Sequence, residues 1–449
     1  LGGFVLAVSV LFGLYLAAYR TSFALRDRSA AAAVVALAAL PALPLLFTYP
    51  GGAGDIYAYI AEADIVLRFG GNPFTTPAAS LPGHPLLPFL DFPHETTHYG
   101  PLWLVIGVVL RLLAGGDLLA GLLAFKAGAA AFLLGTAWLV YLTVRRTDPD
   151  RAVRAALLVA WNPLLLFELA GNGHNDVAMM LFVLLAFYLY RCRSHTMAIT
   201  ALLSAALVKY VAIVLLPLFL VAMLRRAGPA RSWLPVAAAY LVASGAAALL
   251  LVATVGISGT VGVLLSQSRW FTSSLSAIAH LWLSGVMPSE SAAYLVSRTA
   301  QILFGVLYLV ELRRVWLRPD SLARESFTTM LLLMLVAISW FQPWYATWAI
   351  PLGAVAATRG SHAAATALSF GAFMIHAVMG FAWRLGWNRG STIAINVAAV
   401  VATWLPTAAA AAALRSRRSA RTTTAESGAV HPGCGTVDAA SNPPTDVAR

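Results

Sequence analysis

The sequence predicts an all-α protein, a polytopic bundle of transmembrane helices, and three observations carry that prediction. Of the 449 residues 60% are hydrophobic and only 11% charged, where soluble chains carry roughly 25% charged residues. Apolar runs such as Leu1–Tyr19, Leu118–Val144 and Ser391–Leu414 are long enough to cross ~30 Å of hydrocarbon as helices. The short alternating strands that a membrane barrel needs are absent. A soluble globule is thereby excluded, as is disorder over most of the length. Two cysteines, Cys192 and Cys434, are too few and too far apart for a disulfide framework, a cysteine zinc site or an iron–sulfur cluster. In a membrane protein a net charge of +12 reports cytoplasmic loops and anionic headgroups, so no nucleic-acid partner is expected.

The arginines set the topology. Clusters at Arg20/Arg26/Arg28, Arg145/Arg146/Arg151/Arg154, Arg191/Arg193, Arg225/Arg226/Arg231, Arg313/Arg314/Arg318/Arg324, Arg359 and Arg415/Arg417/Arg418/Arg421 mark the cytoplasmic side, while only Arg68, Arg269, Arg384 and Arg389 fall in the alternate connections. The crossings then run at about 3–19, 29–48, 118–144, 152–170, 177–190, 196–208, 210–224, 232–254, 292–312, 326–341, 345–358, 363–383 and 391–414, thirteen in all with the C-terminus inside. The first has no basic residue before it and no well-placed cleavage pattern, unlike a signal peptide. Tyr99–Ala114 is read as an embedded or interfacial helix that does not cross, since a full crossing would put the Arg145–Arg154 cluster outside. The pair 196–208 and 210–224 is short for spanning and predicts a half-depth hairpin with Lys209 at its outer tip. Lys126 is the only charged residue placed near mid-membrane.

Polar chemistry concentrates in the outer connection from Tyr49 to His98, which holds Asp55, Glu62, Asp64, Asp91, Glu95, His84, His94 and His98. From Asp55 to Phe69 apolar residues recur at helical spacing, and Gly70-Gly71-Asn72-Pro73 stops the run, so a helix along the membrane surface is expected. Asp55 opens that helix, with Tyr59 and Glu62 on the same face. It reads either as an N-cap or as a general base at the membrane edge, and its position leaves both open. His94-Glu95-Thr96-Thr97-His98 matches the HExxH pattern of zinc proteases. Pro93 before it and Gly100-Pro101 after it leave hardly more than one turn of helix, and no third ligand is evident, so no metal site is expected there.

Two further constellations follow. Gly171-Asn172-Gly173-His174-Asn175-Asp176 is a polar, glycine-rich knot between apolar helices, and it favours a binding role over simple capping because glycine lets a backbone approach a ligand closely. Lys209 and Arg269 sit at outer helix ends, where they either snorkel to water or hold a lipid phosphate. Trp340-Phe341-Gln342-Pro343-Trp344-Tyr345 lies on the same rim, as an aromatic belt or as a contact surface for a sugar or prenyl chain.

At these residues the chain resembles the GT-C superfamily of membrane glycosyltransferases, in particular the bacterial polyprenyl-phosphate-mannose-dependent mannosyltransferases and glycosyltransferase family 87. Gly54-Asp55-Ile56-Tyr57 with Gly71-Asn72-Pro73-Phe74, Thr97-His98-Tyr99-Gly100-Pro101-Leu102-Trp103, Trp161-Asn162-Pro163, the Gly171–Asp176 knot, Leu207-Val208-Lys209-Tyr210 and Phe341–Tyr345 carry the likeness, over about Tyr49 to Pro351. The resemblance implies a hexosyltransferase with a polyprenyl-phosphate sugar donor, most plainly mannose, a lipid-linked or glycan acceptor on the extracytoplasmic face of the cell membrane, inversion at the anomeric carbon, surrounding membrane lipids and no cofactor. It implies Asp55 as base, Lys209 and Arg269 on the departing phosphate, and His174, Asn175, Asp176, Tyr99, Gln342, Trp344 and Tyr345 about the substrates. The chain then divides into an extra N-terminal helix and cytoplasmic loop (1–28), a GT-C-like catalytic body (29–414, with its outer loop at 49–98) and a tail (415–449) whose Ser, Thr, Ala, Gly and Pro content predicts a disordered cytoplasmic extension. The competing classes are a lipid or solute transporter, which predicts inverted repeats and charged sites near the bilayer midplane, and a membrane zinc protease acting through His94, Glu95 and His98.

Overall fold

The computed structural model describes residues 2–52, 54–81, 83–228, 233–266, 270–384, 386 and 392–427, with side chains described except at 257–266, 383 and 413–427. Arg269 and residues 428–449 lie outside the described residues. The described backbone is helical almost throughout, and one isolated bridge, Thr272–Trp340, is the β pairing seen among those residues. Helix α1 spans Gly2–Thr21, and α2 (Arg28–Leu37) runs on through α3 (Ala39–Leu46) as a second apolar segment. Asp27 caps α2, accepting the Ala30 N–H.

Eight described helices are long and apolar enough to cross a membrane, nine if one bent pair counts as a single span. The thirteen segments read from the sequence include several that are short or broken in the structure. Thus α9 (Asp176–Arg191) has 16 residues, α10 (His195–Val208) has 14, and the segment read at 345–358 is a 3₁₀ turn, Pro343–Trp348, followed by six residues of helix, Ile350–Val355. The backbone stays helical through Ser427, past the start of the expected tail.

Asn162-Pro163 breaks the bent pair α7 (Pro149–Ala160) and α8 (Pro163–Gly171), which meet at 40°. Proline starts the second helix at its first turn, and Asn162 caps it by accepting the N–H groups of Leu164 and Leu165. The helix then widens to a π-helix over Leu166–Gly171, a local form that often re-aims a side chain at a functional site. Here it aims Glu168.

The expected helix after Gly54 is present as α4, Asp55–Phe69. It ends on Gly70, which takes a left-handed φ of 61° with its cap bonded to Ile65 O, a stop that favours glycine. One face of α4 packs on α5 (Pro101–Leu113) and α6 (Leu118–Arg145). Asp64 lies on this face, 1% exposed, with Arg111 Nε at 2.8 Å, His84 Nε2 at 3.2 Å and Arg68 Nε at 3.3 Å. Arg111 also donates to the carbonyls of Asp117 and Gly116, so this buried cluster ties the outer loop to the α5–α6 turn. At 13 residues, α5 is shorter than a span. Lys126, the ninth residue of α6, donates its Nζ to Thr48 O at 2.6 Å, just beyond the C-terminal end of α3.

Candidate functional site

Asp55 lines an open cavity of about 990 Å³ between α4, the loop around 90–99, Lys209 and an aromatic wall. Gly54 positions its start: the N–H donates to Asp91 Oδ2 at 3.1 Å, and a Cβ there would meet Asp91 Oδ2 and Phe89 O at 2.9 Å. The Asp55 side chain is 22% exposed, and its Oδ2 lies 3.3 Å from His174 Nδ1. His174 is wholly buried, stacked on Trp344 with ring centroids 4.1 Å apart, and its Nε2 lies 3.4 Å from Glu168 Oε2. Glu168 meets His376 Nε2 at 2.6 Å through Oε1 and accepts from Asn172 Nδ2 at 2.8 Å through Oε2. A row of ion-pair contacts therefore runs Asp55, His174, Glu168, His376, with the His174 nitrogens within 3.4 Å of both carboxylates but outside hydrogen-bond geometry to either. Gly173 makes the row possible. Its φ is +77°, and a Cβ would come within 2.6 Å of Ile56 Cδ1, so only glycine fits between α4 and the knot.

Electrostatics follow from this packing. Burial works against ionisation of Asp55, but the nearby His174 and Lys209 cations, with Tyr99 beside them, outweigh it and hold the carboxyl below its ordinary value. Burial likewise works against a charged His174, but the carboxyl groups of Asp55 and Glu168 on its two sides outweigh it and lift its pKa to about 9. Burial pushes Glu62, also on the cavity wall, up to about 8, opposed by a hydrogen bond from Thr97 and helped by the charge of Asp55.

Lys209 lies where α10 ends and a 3₁₀ turn, Tyr210–Leu215, begins. A backbone clamp holds it: the Gly100 N–H donates to Val208 O at 3.0 Å, and a Cβ on Gly100 would sit 1.9 Å from Leu207 O. Its Nζ donates to Asp176 Oδ1 at 2.8 Å and stands 5.4–5.8 Å from the rings of Tyr345, Trp348 and Tyr99. The Trp348 indole N–H donates to the same Asp176 oxygen. A second open groove, about 1470 Å³, shares Lys209, His98, Trp340 and Tyr345 with the first cavity and continues between apolar side chains including Ile213, Phe304 and Ile338.

The structure thus brings Asp55, Tyr99, Lys209, Trp344 and Tyr345 to one cavity. His174, Asn175 and Asp176 are buried behind its wall, and Gln342 lines a small separate pocket with His376. Lys209 and Asp176, singled out for separate partners, are bound to each other. Arg269 lies outside the described residues, although its neighbour Trp270 lines the cavity. The His94–His98 run is not helical, and Glu95 pairs with His98 at 2.8 Å. No group of three metal-binding side chains forms among the described residues. Sequence reasoning gave no role to Glu168, His376 or Trp348. A lone glutamate within an apolar run was the available signal for the first.

The described chain is a helical body with eight or nine helices long and apolar enough to cross a membrane, and the connection after α3 brings an acid, Asp55, to an open cavity. Residues 2–225, which hold Asp55, His174, Asp176 and Lys209, match the family described as alpha-(1->6)-mannopyranosyltransferase, N-terminal domain. The chain is 29% identical over 176 residues to alpha-(1->6)-mannopyranosyltransferase A of Corynebacterium glutamicum, covering 39% of this chain and 36% of that one. To the enzyme of the same name from Mycobacterium tuberculosis it is 25% identical over 350 residues, 73% of this chain and 66% of that one. The chain therefore spans at most about two thirds of the length of these relatives. Among solved structures, the archaeal oligosaccharyltransferase AglB from Archaeoglobus fulgidus, in complex with an inhibitory peptide and a dolichol-phosphate, is similar at 15% identity over 86% of this chain and 55% of that one, with a TM-score of 0.39.

Proposed function

We propose that the protein transfers a mannosyl unit from a polyprenyl-phosphate donor to a lipid-linked or glycan acceptor on the extracytoplasmic face of the cell membrane, with inversion. The observation that carries the reading is the meeting of the Asp55 cavity and the apolar groove at Lys209. An isoprenoid chain lying in the groove leaves its phosphate at the lysine and its sugar in the cavity. Asp55, held ionised by His174 and Lys209, accepts the acceptor hydroxyl's proton as that oxygen attacks the anomeric carbon. Lys209 neutralises the phosphate that departs from the opposite face. Tyr99, Trp344 and Tyr345 bound the sugar. Asp176 and Trp348 act as positioning residues, fixing Lys209 and each other, and His174 fixes Asp55. The family match and the mannosyltransferase relatives support the sugar and the reaction type. Incubation of membranes carrying the protein with labelled polyprenyl-phosphate mannose tests the reading. A labelled product with the anomeric configuration inverted is expected, and transfer only from a nucleotide sugar would overturn it.

A further inference from the structure

The arginines that mark one side of the sequence converge on a cavity of their own. Arg20 at the end of α1, Arg26 in the connection to α2, Arg151 and Arg154 on α7, and Arg359 at the start of α17 (Arg359–Arg384) line one open cavity of about 2430 Å³, with Asp148 and Asp150 as its acids. It lies at the end of the bundle away from Asp55: α17 runs from Arg359 to His376 beside Glu168, about 25 Å along the helix.

Part of this charge is uncommitted. Arg20 and Arg359 make no hydrogen bond or ion pair among the described residues, while Arg154 lies over the Phe23 ring at 4.0 Å and donates one N–H to Asp150 O, which leaves its charge without a carboxylate partner and its Nε without a hydrogen bond. The Arg26–Asp150 pair, at 3.0 Å, is 65% and 63% exposed, so it exchanges readily for another anion. Arg151 is bound to Asp148 and to Ala357 O and holds the wall together.

Behind the guanidinium rim the lining turns apolar. Phe12, Gly13 and Leu16 of α1 face Ala367 and Phe370 of α17, with Pro406 beyond. From Tyr19 back to Ser9 this slot follows α1 for about 15 Å. Gly13 leaves it open, since a Cβ there would meet nothing within 4 Å. Orientation of a membrane protein needs basic residues near the cytoplasmic helix ends. It does not need three separate chain segments to gather them round one cavity, nor an apolar slot behind them. A cationic rim above a chain-length apolar slot matches an anionic amphiphile.

We propose that this cavity binds an anionic membrane phospholipid, its phosphate diester held by Arg20, Arg154 and Arg359 and one acyl chain lying in the α1–α17 slot. Guanidinium forks suit a phosphate held between two oxygens. The full chain, reconstituted in nanodiscs of mixed phosphatidylcholine and phosphatidylglycerol, extracted in mild detergent and weighed by native mass spectrometry, should retain one phosphatidylglycerol that inorganic phosphate does not displace. The double variant Arg20→Gln with Arg359→Gln should lower retention about tenfold or more, the scale of losing charge-assisted contacts. Gly13→Leu fills the slot, leaves the charge alone and suits a helix. It should lower retention as well, with melting and gel-filtration profiles unchanged. Equal retention in the parent and both variants, retention of phosphatidylcholine as readily as phosphatidylglycerol, or displacement by inorganic phosphate would overturn the proposal. Preferential replacement by polyprenyl phosphate would also overturn it, assigning the cavity to the isoprenoid lipid.

Discussion

Replacing His174 by Gln removes the imidazole that separates two buried carboxyl groups, Asp55 at 3.3 Å and Glu168 at 3.4 Å. The pKa of His174 is lifted from 6.5 to about 9, and at roughly 1.4 kcal/mol per unit this links its proton to about 3 kcal/mol of folding stability. The folded value is the raised one. That stability is therefore complete below pH 6.5 and is lost as pH rises through about 9. Full burial leaves little screening to reduce it. Glu168 keeps His376 and Asn172 in the variant, so the change falls on Asp55, whose carboxyl should rise from its depressed value. Transfer by the parent should be flat from mildly acid to neutral pH, whereas His174→Gln should be slower and should gain rate with pH as Asp55 ionises later. Thermal melting across pH and a pH profile of kcat/KM read both effects. A variant that melts with the parent at pH 6 and shows the parent's profile scaled down would refute the reasoning.

Three further outcomes are expected. Lys209→Met should cost about 2–4 kcal/mol of transition-state stabilisation and should also destabilise the fold by leaving Asp176 buried and unpaired. Adding Asp176→Asn should restore the melting temperature without restoring the rate, which separates the two roles. Gly100→Ala should lower stability by about 2 kcal/mol or more, because its Cβ would sit 1.9 Å from Leu207 O and neither backbone can yield cheaply; chemical denaturation measures it. Glu62→Gln should leave stability near neutral pH little changed or improved. The raised pKa of Glu62 makes the parent lose stability as pH rises from its unfolded value of 4.5 towards about 8, and the variant should lose that slope.

The helix after Gly54, its stop at Gly70 and the junction at Lys209 were legible, because each is written in consecutive residues with strong backbone preferences, whereas the break at Asn162-Pro163 falls inside the crossing read at 152–170 and was not read. The identity of contacts was not. Glu168 and His376 are 208 residues apart, Asp176 and Trp348 are 172 apart, and periodicity does not say which helices adjoin. The Lys209–Asp176 pair shows the limit well: both residues were visible as polar exceptions in apolar surroundings, yet only the packing of α9 against α10 turns two separate ligands into one ion pair. The His94–His98 run shows the reverse, a recognisable spacing that the chain does not fold into a helix.

The central claim is that Asp55 is the base of a sugar transfer from a lipid phosphate. It is tested most directly by Asp55→Asn in membranes supplied with labelled polyprenyl-phosphate mannose. Gly54 holds the cap position, so the helix start does not depend on the carboxylate and the fold should survive, with the melting temperature lowered only by loss of the His174 pairing. Product formation should fall by roughly 10²–10⁴, the contribution of a positioned base. Transfer by the folded variant within a few-fold of the parent would contradict the account.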